Sequence, residues 1–155
     1  MAGVDALAQL IAVDEIEALK ARYFRHLDAQ EWSELRALYT DDAQFEFPAI
    51  GTFRGPDACI EVISAALTGT TTVHHGHTPD IEVTGPDTAT GVWSLTDHVI
   101  RDPGSGGAVP GYPAELAAGH RGYLRQTESY RRGPGGWRIA GMRAERILIE
   151  PLQAR

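Results

Sequence analysis

Three groups of residues have the types and spacing for proton chemistry. The first is Tyr23 and Asp28 within ARYFRHLDAQEW. Five positions along an ideal helix turn about 140°, so the two converge only if the helix ends near Leu27 and Asp28 turns inward. Otherwise Tyr23 is a core aromatic with its hydroxyl at the rim, and Asp28 caps the next segment. The second group is Val73-His74-His75-Gly76-His77-Thr78, three imidazoles within four residues. Histidine is the natural proton carrier near neutral pH. On a strand, His75 and His77 face one way and His74 the other, unless a bulge at Gly76 changes the register. Neutral imidazoles also bind zinc, but no clear third ligand stands at helical spacing, so no metal is expected. A solvent-facing strand end is the bland alternative. The third group is Asp97 and His98 on one long strand with Arg143 and Arg146 on the last. An Asp97–Arg146 ion pair would satisfy a carboxylate that a strand otherwise disfavours. Equally, an arginine in a pocket suits a carboxylate or phosphate.

Other chemistries lack their residues. No Gly-rich phosphate loop lies between a strand and a helix, so no nucleotide cofactor is expected. There is no G-x-S-x-G, and the single cysteine, Cys59, sits on an apolar helix and belongs in the core. One cysteine also rules out an internal disulfide. The net charge of −7 argues against nucleic-acid or acidic-membrane partners. Asp5 and Asp14 interrupt the apolar N-terminal stretch and no basic region precedes it, so it does not read as a signal peptide. The cytoplasm is the default compartment. Lys20 is the only lysine.

The elements that must position these groups follow from periodicity. The 155 residues fit one domain, 1–155, with 43% hydrophobic residues to build a core. Ile16, Leu19, Tyr23 and Leu27 share one helical face, and Asp14 can cap or charge the start of its second half. A short helix is expected over Ser33–Tyr39 with Ser33 as its N-cap. Ala43–Phe47 alternates as a strand, with Phe45 and Phe47 on one face. Residues 51–57 read as a turn launching a third helix, with Pro56 in its first turn. Strands follow over Thr72–His77, Asp80–Thr84, Thr88–Ile100, Arg121–Arg132 and Trp137–Glu150, and Asp102–His120 is a long loop suited to a lid. Helices followed by a strand meander make an α+β fold: a curved, mixed or antiparallel sheet with about three helices and a pocket on its concave face.

With KARYFRHLDAQEW, VHHGHTPDIEV, TATGVWSLTDHVI and GGWRIAGMRAERILIE in view, the chain resembles the SnoaL-like group of the nuclear-transport-factor-2-like superfamily. Its nearest likeness there is to bile acid 7α-dehydratase, and it is similar to scytalone dehydratase and hexachlorocyclohexane dehydrochlorinase. The resemblance implies a cone-shaped fold and a cofactor-independent lyase. It implies catalytic roles for Tyr23, Asp28, His74 and Asp97, and substrate-binding roles for His77 and Arg146. His74 would be the general base, Asp28 its orienting carboxylate and Tyr23 the donor to a developing enolate. Asp97 or a water would help a hydroxyl leave.

The implied reaction is dehydration of a hydroxylated hydrophobic small molecule of steroid, polyketide or terpenoid type. An isomerase or polyketide cyclase using the same base, and a non-catalytic binding protein, are the alternatives. An open curved sheet also leaves apolar outer surface. Trp93, Leu124 and Ile147 are the candidates to be covered in a homodimer or homotrimer.

Overall fold

The computed structural model describes residues 5–48, 50–104 and 114–153. Residues 105–113 of the Asp102–His120 loop lie outside them. The chain runs α1 (Ala6–Asp28), α2 (Trp32–Ala37), β1 (Tyr39–Phe47), β2 (Gly51–Arg54) and α3 (Pro56–Leu67). Then come β3 (Thr70–Gly76), β4 (Asp80–Gly85), β5 (Thr88–Arg101), β6 (Gly119–Gly133) and β7 (Gly136–Pro151).

The apolar stripe of α1 is buried as its spacing demands: Ala12, Ile16, Leu19, Tyr23 and Leu27. Its N-cap is Asp5, whose carboxylate accepts from the Leu7 N–H at 3.3 Å. Asp14 therefore lies mid-helix, where it caps nothing. The second helix begins one residue before Ser33, after Glu31, and no side chain caps it. It stops at Ala37 because Tyr39 pairs with Ile139 and is drawn into β1. The stretch read as a turn contains a strand instead: β2 pairs antiparallel with β1, Phe53 opposite Phe45. Tertiary pairing here overrides the Gly and Pro that mark a turn locally. Pro56 opens α3 as expected, and Cys59 is buried.

The seven strands form one open, mixed sheet in the order β2-β1-β7-β6-β5-β3, with β4 also on β5. Only β1 and β7 run parallel among these pairs. Register shifts between β6 and β7, at Tyr123/Leu124 and Ser129/Tyr130, are the kind of irregularity that bends a sheet. Helix α1 packs on β3, β4 and β7, and α3 on β1, β2 and β3, giving a cone-like α+β fold. Among the described residues no helix is long and apolar enough to cross a membrane.

On β5 the inner positions are Ala89, Trp93, Leu95, Asp97 and Val99, all buried. Trp93 is therefore core, not outer surface, and Leu124 also packs against the core. Of the three outer candidates only Ile147 is exposed, joined by Leu148, Val92 and Ile100.

The core contains a buried ion pair that charge content alone does not announce. Lys20 Nζ donates to Glu128 Oε1 at 2.5 Å and to Gln126 Oε1 at 2.6 Å, and both charged side chains are sealed from solvent. The ammonium also lies 4.1 Å from the Tyr23 ring centre. Tyr130 donates to the other Glu128 oxygen and accepts from Trp93 Nε1 at 2.8 Å. Burial pulls Lys20 below the usual lysine range, with the Glu128 charge and hydrogen bond opposing it. Removing one partner of such a pair strands the other charge without water. Lys20→Met is expected to cost about 3–5 kcal/mol in denaturant unfolding. Combining it with Glu128→Gln is expected to restore most of that loss. A single variant as stable as wild type would refute the coupling.

Candidate active site

The last residue of α1 makes the site. Asp28 ends the helix and faces β3, where its carboxylate is fully engaged. Oδ1 accepts from the Thr72 hydroxyl at 2.8 Å and pairs with His74 Nδ1 at 2.6 Å. Oδ2 accepts from the backbone N–H of His74 at 2.9 Å. Burial pushes the Asp28 pKa up, but the His74 ring, the His74 N–H, the imidazole charge and Thr72 together bring it below the usual carboxylate value. The pair is partly sheltered: the side chains of His74 and Asp28 are 13% and 25% exposed. With Nδ1 tied to Asp28, Nε2 is the ring nitrogen left to exchange a proton with a substrate.

Strand register aims His74 inward. β3 pairs with β5 without a shift, His74 opposite Asp97 and His75 opposite Thr96. Directly paired residues share a face, so His74 joins buried Asp97 while His75 is exposed. Gly76 does not bulge. Its missing side chain instead makes room for Phe24, whose ring a Cβ there would meet at 2.6 Å. Phe24 stacks on the His74 imidazole, with rings 6.4 Å apart and 11° from parallel. The same ring lies 4.8 Å from the Lys20 ammonium, so it is close to both the imidazole and the buried ion pair.

Asp97 and Arg146 meet as the ion-pair reading expects, Arg146 Nη1 lying 3.0 and 3.2 Å from the two carboxylate oxygens. The guanidinium reaches across β6 at Gly122, the residue paired with Asp97. A Cβ on Gly122 would sit 1.8 Å from Arg146 Nη1 and 2.0 Å from Asp97 Oδ1. His120 Nε2 lies 3.7 Å from Asp97 on its other side. Burial raises the Asp97 pKa, but the His120 hydrogen bond and the Arg146 charge outweigh it and bring the pKa to about 2. The carboxylate is thus engaged by both Arg146 and His120.

Two expected members stand apart from this group. The Tyr23 hydroxyl rests on Met142 Sδ at 3.8 Å, and burial raises its pKa far above the usual tyrosine value. It is a core aromatic because α1 runs unbroken to Asp28, leaving the two on different faces. His77 follows the end of β3 and is exposed, its N–H donating to Ser94 O at 2.8 Å. Arg143 and His98 lie on the outside, with Arg143 near Glu46 and His98 accepting from Arg121. Lys20, Glu128, His120, Gly122 and Phe24 are the site and core residues that the motifs passed over. Lys20 carried a signal, since it falls within the buried stripe between Ile16 and Tyr23.

Among the described residues, no three His, Cys, Asp or Glu side chains gather as a metal site. Hollows of about 440 and 340 Å³ lie elsewhere, one lined by Gln9, Val13 and β4, the other by Thr84, Ser129 and neighbours. Neither reaches Asp28, His74 or Asp97, so neither is the pocket expected on the concave face.

An open mixed sheet wrapped on one side by helices, with an inward His–Asp pair, defines an α+β protein of the cone type. The chain belongs to the SnoaL-like family of the nuclear-transport-factor-2-like superfamily: the SnoaL-like domain matches residues 8–143. It is similar in structure to hexachlorocyclohexane dehydrochlorinase LinA-type3 from Novosphingobium barchaimii, at 18% identity and a TM-score of 0.78, covering 97% of each chain. It is also similar to a candidate scytalone dehydratase from Novosphingobium aromaticivorans, at 17% identity and a TM-score of 0.80, over 97% of this chain and 94% of that one. A protein of unknown function from Mycobacterium tuberculosis is 26% identical, with a TM-score of 0.72, over 94% of this chain and 78% of that one. These likenesses carry the fold, and the chemistry rests on the site itself.

The depressed Asp97 pKa has a stability consequence. A carboxylate whose folded pKa lies below its unfolded value stabilises the protein above the unfolded value. That contribution disappears as pH falls through the folded value. For Asp97 the window runs from the usual 3.8 down to about 2. The full contribution is about 2 kcal/mol by linkage. Wild type is expected to lose stability across that window more steeply than Asp97→Asn, measured by urea unfolding against pH. Parallel profiles would refute the assignment.

Proposed function

We propose that the chain is a cofactor-independent lyase, a dehydratase acting on a hydroxylated hydrophobic small molecule of steroid, polyketide or terpenoid type. The observation that carries this reading is the 2.6 Å contact between His74 Nδ1 and Asp28 Oδ1, with Asp28 itself fixed by Thr72 and the His74 N–H. A carboxylate so held sets the imidazole tautomer and stabilises the imidazolium that forms during proton transfer. The motif likeness to bile acid 7α-dehydratase, and the dehydrochlorinase and dehydratase named among the structural neighbours, support elimination as the reaction class.

In this reading His74 Nε2 removes a proton α or vinylogous to a carbonyl. The C–H electron pair becomes the new carbon–carbon double bond, and the carbon–oxygen bond breaks. The hydroxyl leaves as water with the proton returned by the imidazolium. The step is redox-neutral and consumes nothing else. Arg146, oriented by Asp97, takes the role of donor to the oxygen that gains charge. Tyr23 stays with the core and His77 with the surface. An isomerase or polyketide cyclase would use the same base but keep the water, so product mass separates the two.

Mass spectrometry over a panel of hydroxylated ketones and thioesters is expected to find a product lighter by one water. On that substrate His74→Ala is expected to lose about 10²–10⁴-fold in turnover while remaining folded by circular dichroism. Turnover equal to wild type would sink the assignment.

Assembly belongs to the same proposal. Ile147 and Leu148, 56% and 52% exposed on β7, are apolar surface that a second or third copy of the chain would cover. Light scattering is expected to give a dimer or trimer mass, and the mass of one chain would refute it.

A further inference from the structure

We infer that Gln30 is a positioning residue for the His74–Asp28 pair, clasping the end of α1 to the start of β3. This rests on the reading of that pair as the working site and adds a residue that neither the motifs nor the catalytic contacts single out.

The end of α1 is a Schellman turn. The Gln30 N–H donates to Leu27 O at 3.1 Å and the Glu31 N–H to His26 O at 2.9 Å. The residue at this turn's left-handed position is ordinarily glycine. Here it is Gln30, at φ 55°, the one non-glycine residue with positive φ among those described. A side chain in that region costs about 1–2 kcal/mol, so its presence calls for a compensating contact.

The amide supplies it. Gln30 Nε2 donates to Leu67 O at 3.2 Å and to Thr70 O at 3.1 Å. Leu67 is the last residue of α3 and Thr70 the first of β3. One amide group therefore uses both of its N–H bonds to hold the α3–β3 junction against the end of α1. Both anchor points are adjacent to the site: Asp28 lies two residues before Gln30, and Thr72 and His74 lie two and four residues beyond Thr70. The contacts form a ladder between α1 and β3, from Gln30 on Thr70, to Asp28 on Thr72, to Asp28 on His74. The site rungs carry the proton chemistry, and the Gln30 rung sets the spacing at which they close.

Glycine at this position separates positioning from folding, because it relieves the backbone strain while deleting the clasp. Asparagine is a second variant, since it tolerates the left-handed region but is one methylene too short to span both carbonyls. The test uses the full chain and heteronuclear NMR, following the Asp28 side-chain carbonyl carbon and the His74 Nδ1–H proton through a pH titration. In Gln30→Gly and Gln30→Asn the Asp28 midpoint is expected to move up toward the ordinary carboxylate value. The His74 Nδ1 proton is expected to exchange faster with water, with cooperative unfolding retained. A wild-type Asp28 midpoint and a wild-type Nδ1 proton in both variants would overturn the inference. Neither signal requires turnover, so this outcome is distinct from failure of the elimination reading, which His74→Ala decides on its own.

Discussion

Asp28 is the joint on which the site depends. It is the last residue of the long helix and accepts three hydrogen bonds from a single strand: from the Thr72 hydroxyl, the His74 backbone and the His74 ring. Each is a bond to a charged acceptor, stronger than a neutral one. Together they tie a helix end to a sheet with one carboxylate, and they orient the imidazole with the same atoms that hold the layers together. Structural attachment and orientation of the imidazole are one interaction here.

The interior gathers charge and compensates it in place. Lys20 is matched by Glu128, Asp97 by Arg146 and His120, and Asp28 by His74 and neutral donors. Burial makes each isolated ion expensive and each matched pair tolerable. The three groups also differ in what burial leaves them free to do. Lys20 and Glu128 are sealed and bonded to each other, so they serve the core. Asp97 is 7% exposed and Arg146 is 35% exposed, so the carboxylate anchors and the guanidinium faces outward from it. His74 and Asp28 lie between these extremes, sheltered enough for strong hydrogen bonding and open enough for proton exchange.

Much of this frame was legible in residue spacing. The stripe of α1 and the opposite facing of His74 and His75 on β3 both reach the structure nearly unchanged. The faces were harder. A period of two divides a strand into two sides without saying which is buried, so apolar residues such as Trp93 and Leu124 on long strands read equally as outer surface or core. Trp93 and Asp97 have the same parity on β5, so burying Asp97 against Arg146 also buries Trp93. Lys20 and Glu128 were hidden for another reason. Charged residues are mostly exposed, and a pair 108 positions apart becomes visible only once the helix lies on the sheet. β2 was lost because glycine and proline at its ends mark a turn locally, while its pairing to β1 is a property of the assembled sheet.

The ion pairing of Asp97 bears on the proposed elimination. An elimination needs a base for the carbon-bound proton and a proton for the departing oxygen. Asp97 is held ionised from two sides, and Tyr23 is turned onto a methionine sulfur with its pKa raised, so neither is a ready acid. In the proposed reaction His74 would then carry the proton from carbon to oxygen, which would place both bonds on the same face of the substrate. A fixed tautomer is what such a shuttle requires, because the ring must return from imidazolium to the same neutral form after each turnover. The three bonds that immobilise Asp28 would serve that requirement in the proposed reaction. Gly122 is a structural counterpart to this, since only a residue without a side chain lets Arg146 cross β6 and place its charge on the row that His74 occupies.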